Sequence, residues 1–453
     1  MKKPLYMDIY GRISSDILSG NIAPGEKIPS KRQMQALLNV SQTTVETAYG
    51  ALAAEGYIYS RAGSGYYACE IEKPAFKAPL PDEITPDEPE PSFDISLSAD
   101  DTDTSVFPYS AWAKITRETL CRDARLLKRG DPAGDMELRR EICSYLSEIR
   151  GVSCVPGQIT VGAGMEYVTG MILQLLPIDS AFALEDPGYK SVYKRLSLAG
   201  KTIYPVPVDE SGLLVGSLSK TPADIVYVTP SHQFPTGVTM PVSRRASLLR
   251  WANEKEERYI IEDDYDSEFR YSAKTVPAMQ GMDESRKVIY IGTFSRALAP
   301  SIRIAYAVLP PALLKKYKEL SGDLSSTVSR FEQQTLAAFM DRGLYTRHLR
   351  RAGNLYRQKQ DLFRSVLSKT PGLRVSGAEA GLHFLVTVEG KSESELKRAA
   401  EKEGIRVLGL SDFRCRKSAE DEKRGTLIIG FTGLSLEKIE NCAETLRRVW
   451  SGL

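Results

Sequence analysis

The sequence has little of what metal centres, disulfide frameworks and membrane spans are built from. Its six cysteines, Cys69, Cys121, Cys143, Cys154, Cys415 and Cys442, are scattered, with no CxxC pair and no partnering histidine cluster. That excludes the usual zinc spacings and a stapled secreted fold, so reduced thiols and no metal centre are expected. No stretch approaches the roughly 18 uninterrupted apolar residues of a spanning helix, and the opening MKKPLYMDIYGRISSD has no apolar run of signal-peptide length. No membrane association and a cytoplasmic location are therefore expected. An excess of one charge is missing too: Lys+Arg 60 stand against Asp+Glu 58, which excludes a uniformly basic nucleic-acid coat and leaves room for a small local DNA contact. What is present is a chain of 453 residues, 42% hydrophobic and 26% charged, long enough for two or three domains around a large core.

Residues 1–70 carry their own punctuation. Ile9, Ile13, Ile17 and Leu18 recur at helical spacing until Gly20 and Pro24-Gly25 break the pattern. Ser30 is placed to cap a second helix over KRQMQALLN. Ser41 caps a third, whose apolar face Val45, Ala48, Tyr49 and Leu52 stops at Gly56. Tyr57-Ile58-Tyr59, the turn Arg61 to Gly65, and Tyr66-Tyr67-Ala68 then read as a hairpin. Three helices and a glycine-tipped hairpin make a winged helix-turn-helix.

Between residues 71 and 92 prolines alternate with acidic residues, a self-repelling composition that cannot fold alone and reads as a linker. Residues 93–453 alternate apolar strand-like runs, among them QITVGAG, AFALEDPGY, DIVYVTPS, RYIIEDDYD and KVIYIGTFS, with helical stretches. This is an α/β pattern, a mainly parallel sheet with helices, whose ligands sit at the carboxyl ends of the strands. From about Leu344 the pattern changes to a smaller α+β C-terminal cap.

Ile28 to Tyr67 follows PS-x-R, VS-x-x-TV, L-x-x-EG and R-x-G-x-G, and so resembles the GntR class of winged-helix regulators. The resemblance implies that double-stranded DNA is a partner. It implies that Arg32 contacts phosphate or a base, that Gln42, Thr43, Thr44 and Glu46 face the major groove, and that Gly63, Ser64 and Gly65 reach the minor groove. Many relatives carry arginine where this chain has Gln42 and Glu46. Glutamine pairs with adenine and glutamate accepts from cytosine, so the expected sequence preference differs.

The larger portion resembles fold-type I aminotransferases, the pyridoxal-phosphate enzymes. The resemblance rests on GDPAG (Gly130–Gly134), VGAG (Val161–Gly164), EDPGY (Glu185–Tyr189), PSHQFPTG (Pro230–Gly237), IIEDDYDSEF (Ile260–Phe269) and GTFSRALAPSIRIAY (Gly292–Tyr306), in that order. Together the two portions resemble the MocR/GabR type of transcription regulator. By that resemblance Asp263 pairs with the cofactor's pyridine nitrogen, Tyr265 reaches its phenolic oxygen and Tyr189 stacks on its ring. Thr293, Ser295, Arg303 and the amides around Gly164 hold its phosphate. His232 and Gln233 lie in the loop over the ring's edge, with a structural role in a tight turn as the competing reading. A homodimer and a small-molecule effector are implied as well.

The departures are as specific. Arg296 stands where the family has its Schiff-base lysine, and a guanidinium offers donors but no nucleophile. Neither Lys287 nor Lys315 can replace it without moving the backbone. Met165 replaces a frequent hydroxyl residue, Gly433 stands at a carboxylate-gripping arginine, and Ser191 stands at a second arginine of GABA-responsive relatives. The expected function is a sequence-specific DNA-binding regulator whose aminotransferase-like domain senses a ligand without turnover. That domain then holds pyridoxal phosphate noncovalently, holds another anion such as an amino-acid-like one with Arg296 and Arg303 as its clasp, or holds nothing. The competing reading is a pyridoxal-phosphate-dependent aminotransferase with an appended DNA module.

Overall fold

Ser30 opens the capping box that starts the second helix, its hydroxyl accepting from the Gln33 amide while Gln33 returns to the Ser30 amide. Such local signals set most of the small unit. The computed structural model describes residues 5–71, 93–122, 124–271, 276–415 and 423–452, and the chain divides into two units, Met1–Glu90 and Pro91–Leu453. Apart from Ile71, the expected linker lies outside the described residues.

The first unit comprises α1 (Leu5–Ser19), α2 (Lys31–Leu38), α3 (Gln42–Ala54) and the antiparallel hairpin β1 (Ile58–Arg61) and β2 (Gly65–Ala68). Its core joins Ile9, Ile13 and Ile17 to Met34 and to Val45, Ala48, Tyr49 and Leu52. Leu18 does not belong to it: the expectation is corrected because a residue one step beyond Ile17 faces away, and it is 42% exposed. The hairpin turn is also tighter than expected, since Arg61 pairs with Gly65.

In the second unit β3 (Ile95–Ser96) is followed by α4 (Tyr109–Arg122) and α5 (Met136–Tyr145). An eight-stranded sheet follows, formed by β4 (Ile159–Gly162), β5 (Phe182–Asp186), β6 (Ile203–Asp209), β7 (Gly212–Leu213), β8 (Ile225–Val228), β9 (Tyr259–Asp264), β10 (Val288–Thr293) and β11 (Ala305–Val308). Its order is β4-β11-β10-β9-β8-β5-β6-β7, parallel from β10 to β6 and antiparallel on both sides of β11 and at β7. β4, β8, β10 and β11 are buried throughout, as strands covered on both faces must be. Helices α6 (Met165–Leu175) and α7 (Lys190–Leu198) leave the ends of β4 and β5. The final portion packs the helices Leu344–Leu367 and Leu436–Ser451 on a four-stranded sheet of β12 (Leu373–Ser376), β13 (His383–Val388), β15 (Leu408–Gly409) and β16 (Thr426–Gly430). The short β14 (Ile405–Arg406) pairs with β3 instead.

Candidate ligand cavity and DNA-reading face

At the carboxyl ends of the parallel strands lies a cavity of about 510 Å³, where an open α/β sheet collects ligands. β8 contributes Tyr227, β9 Asp263 and then Tyr265, β10 Thr293 and then Ser295; α6 and α7 add Glu166, Thr169 and Arg195.

The floor is set by a run of three consecutive carboxylates. Because side chains alternate along a strand, Glu262 and Asp264 face one side of β9 and Asp263 the other. Asp264 is neutralised: Arg150 Nε donates to its Oδ2 at 2.7 Å, with both side chains about 1% exposed, and Tyr290 also donates to it. Burial opposes its charge, yet Arg150 and these donors hold its carboxyl below the usual range. Asp263 has no cation bonded to it, although Arg296 acts on it through space. Its Oδ2 accepts from Tyr227, its Oδ1 has no partner, and burial pushes its carboxyl up to about 7. An unpartnered buried carboxylate oxygen facing a cavity asks for a proton or a cation, and a protonated ring nitrogen answers that requirement.

The opposite end is a set of anion donors. Gly164, at φ +85°, precedes α6, and a Cβ there would lie 2.5 Å from Arg303 Nη2, so a side chain would displace the guanidinium from the helix start. Arg303, itself left-handed at φ 52°, contacts Glu166. The buried Ser295 hydroxyl has no partner. Thr293 also lines the cavity; its hydroxyl donates to the Ile304 carbonyl at 3.3 Å and accepts from the Ser295 amide at 3.1 Å, which shapes the loop.

Two aromatic expectations are also refined. Tyr189 lines the cavity, but Phe234 stacks on one of its faces at 4.0 Å between centroids and 4° between planes. The Tyr265 hydroxyl lies 3.0 Å from His232 Nδ1, which is 2.9 Å from Asp266 Oδ2. Gln233 is structural, bonding to the Pro187 and Phe234 carbonyls and to Thr236. His232, Asp266 and His383 bring ligand-type atoms within 4.8 Å of one another. Two of those positions already have partners, Asp266 and Tyr265 at His232 Nδ1 and the Pro235 carbonyl at His383 Nε2.

Arg296 spans the mouth. Nη1 donates to the Ala99 carbonyl at 3.0 Å and Nη2 to Asp100. Burial works against its charge, but Tyr189 and Asp100 outweigh it and the guanidinium stays protonated. Beside Gly433, a Cβ would lie 2.8 Å from Asp101 Cβ. A side chain at residue 433 would therefore meet Asp101. Ser191 lines the cavity, and Arg195, one helical turn beyond it, lies 3.5 Å from Thr169 Oγ1.

For pyridoxal phosphate these residues fit the ring nitrogen, through Asp263, and the phosphate, through Ser295, Arg303 and the start of α6. At residue 296 they do not fit the aldehyde, because Arg296 has no amine to condense with it. The sequence missed Arg150, Tyr227, Glu166 and Asp101, none of which belongs to a contiguous motif with its partner.

On the small unit Arg32, Gln42 and Thr43 are exposed and Thr44 and Glu46 half-buried. Gln42 Nε2 donates to Glu46 at 3.1 Å, and Lys31 Nζ lies 3.6 Å from the same carboxylate. The Thr44 hydroxyl is 2.7 Å from Ser41 Oγ. In the wing, Gly63 and Gly65 take positive φ, and Ser64 Oγ lies 2.6 Å from the Tyr67 hydroxyl. Arg61, which sequence reasoning used only as a motif letter, lies over the Tyr59 and Tyr67 rings at 5.4 and 4.8 Å.

Comparison with known proteins supplies the remaining observations. Residues 5–67 match the family described as bacterial regulatory proteins, gntR family, and residues 95–446 match aminotransferase class I and II. The chain is 37% identical to the uncharacterized HTH-type transcriptional regulator YdeL of Bacillus subtilis, over 99% of this chain and 97% of that one. It is 30% identical to the probable rhizopine catabolism regulatory protein MocR of Rhizobium meliloti, over 99% and 94%. Among solved structures, the kynurenine aminotransferase of Pyrococcus horikoshii, in complex with PMP, superposes with a TM-score of 0.69 at 25% identity, over 80% of this chain and 92% of that one.

Proposed function

Because the chain belongs to the MocR-type HTH transcription regulators, a gntR-family DNA-binding domain joined to an aminotransferase class I and II domain, we propose that its cavity is a sensor that holds pyridoxal phosphate without a covalent bond. The chain is a transcription regulator, and the aminotransferase-like domain is the part whose use is in question. The observation that carries the reading is the contrast inside one cavity: Asp263 Oδ1 and Ser295 Oγ are buried without partners, whereas Arg296 is already committed to Ala99 and Asp100. Sites awaiting a ring nitrogen and a phosphate remain, and residue 296 offers no amine; Lys190, the one lysine among the described residues lining the cavity, is exposed at the start of α7. When bound, the cofactor supplies an electron-withdrawing ring; this chain's residues bind and orient it, with Tyr189 and Tyr265 along its edge.

In the DNA-binding domain, Arg32 and the wing residues Gly63, Ser64 and Gly65 contact the backbone and minor groove. Gln42, Thr43, Thr44 and Glu46 face the major groove, with Gln42 and Glu46 acting as one coupled pair. The regulator works as a homodimer on two half-sites.

The test treats full-length protein with pyridoxal phosphate, then borohydride, and maps any pyridoxyl group by mass spectrometry. Retention of the cofactor that dialysis removes, with no label in the cavity, is expected. A stoichiometric label there would overturn the noncovalent reading and restore the enzyme one.

A further inference from the structure

Glu166 is the second residue of α6, and it lies where an anion donor set would be expected to stand open. Its carboxylate accepts from its own backbone amide and contacts the Arg303 guanidinium. Both donors belong to the helix-start cradle formed with Gly164 and the unpartnered Ser295 hydroxyl. Burial raises the cost of its charge, but the amide and Arg303, with Arg195 on α7 adding to them, hold the carboxyl below its ordinary range. The side chains of Glu166 and Arg303 are 58% and 51% exposed, so the pair can open without disturbing the core, and an exposed pair of this kind holds together weakly.

We propose that Glu166 is a built-in stand-in for the ligand's phosphate, occupying the cradle until a phosphate-bearing ligand displaces it and thereby setting the affinity threshold of the sensor. This rests on the reading of the cavity as a phosphate-binding site. A phosphate monoester carries a charge of about −1.5 to −2, so a carboxylate left beside it costs affinity through like-charge repulsion as well as through the lost ion pair. The chain then answers only to ligands that bring ring contacts at Asp263 together with phosphate contacts at Arg303, and inorganic phosphate alone is filtered out.

Full-length protein is titrated at low ionic strength with three probes: inorganic phosphate, pyridoxamine 5′-phosphate and phosphate-free pyridoxamine. Glu166→Gln is expected to bind both phosphate-bearing probes about tenfold more tightly than the unaltered chain, with pyridoxamine unchanged and the gain shrinking in high salt. Glu166→Ala, which introduces no new amide, moves the same way, and probe-free melting curves show that both variants are folded. Equal affinities for the phosphate-bearing probes in all three proteins would overturn the stand-in role and leave the cavity reading intact. Failure of pyridoxamine 5′-phosphate to bind any of the three proteins would overturn both.

Discussion

The floor and the mouth of the cavity differ in how tightly the fold constrains them. Arg150, Asp264, Asp263 and Tyr227 are buried in and beneath the parallel sheet, and each answers to partners more than 25 residues away in sequence. Arg296 instead is bonded to the Ala99 carbonyl and to the exposed Asp100. A partner for a ring nitrogen persists at the floor, while residue 296 departs from what a covalent cofactor needs. Binding geometry is tied to the core, while bond-forming chemistry depends on one side chain that the core does not require.

The most direct way to break that contrast is Arg296→Lys. If the floor is intact, this single change gives a borohydride-fixed pyridoxyl group on residue 296 where the unaltered chain gives none. A variant that still escapes labelling would place the loss deeper than the mouth. Next is Arg150→Ala, which strands Asp264 as a buried unpaired charge. A loss of about 3–5 kcal/mol is expected from chemical denaturation, and a loss below about 1 kcal/mol would show that the floor is not the rigid region.

Asp263→Asn removes the charge a ring nitrogen seeks, and about tenfold weaker binding of pyridoxamine 5′-phosphate is expected in a fluorescence titration. The same variant has a pH signature. Burial raises the Asp263 carboxyl to about 7, so the folded state binds a proton that the unfolded chain releases near its ordinary value of about 4. Ligand-free stability therefore falls as pH rises from about 4 to 7 through this group, and Asp263→Asn should flatten that part of the melting-temperature profile. A slope unchanged in the variant would assign the effect to Glu185 or Glu262, which burial also raises to about 7, or to Glu268, which it raises to about 8. The smallest effect belongs to the mouth: Asp100 is 71% exposed, so Asp100→Ala should alter stability by no more than about 1 kcal/mol.

How much was legible follows the same division. Capping serines and the alternation of strands and helices are written in neighbouring residues, so the winged helix and the α/β order could be read directly. Asp263, Ser295 and Arg303 sit in contiguous motifs at strand ends, so their gathering around one cavity could be anticipated. Arg150 could not, because nothing local distinguishes an arginine after a helix from a solvated one; its partners Ser231 and Asp264 are 81 and 114 residues away. The Tyr189–Phe234 stack and the commitment of the Thr293 hydroxyl escaped for a different reason. Residue type gives a group's capacity to bond, and only the fold shows whether that capacity is already used.

Arg296 also bears on what kinds of selection could act at this position. It exchanges one long cation for another, and the guanidinium finds its partners in a backbone carbonyl and an exposed aspartate. A screen for expression, solubility or thermal tolerance would pass lysine and arginine alike. Only a screen that watches a bond being made would tell them apart, so the change could drift through a lineage unseen by every pressure except the demand for turnover.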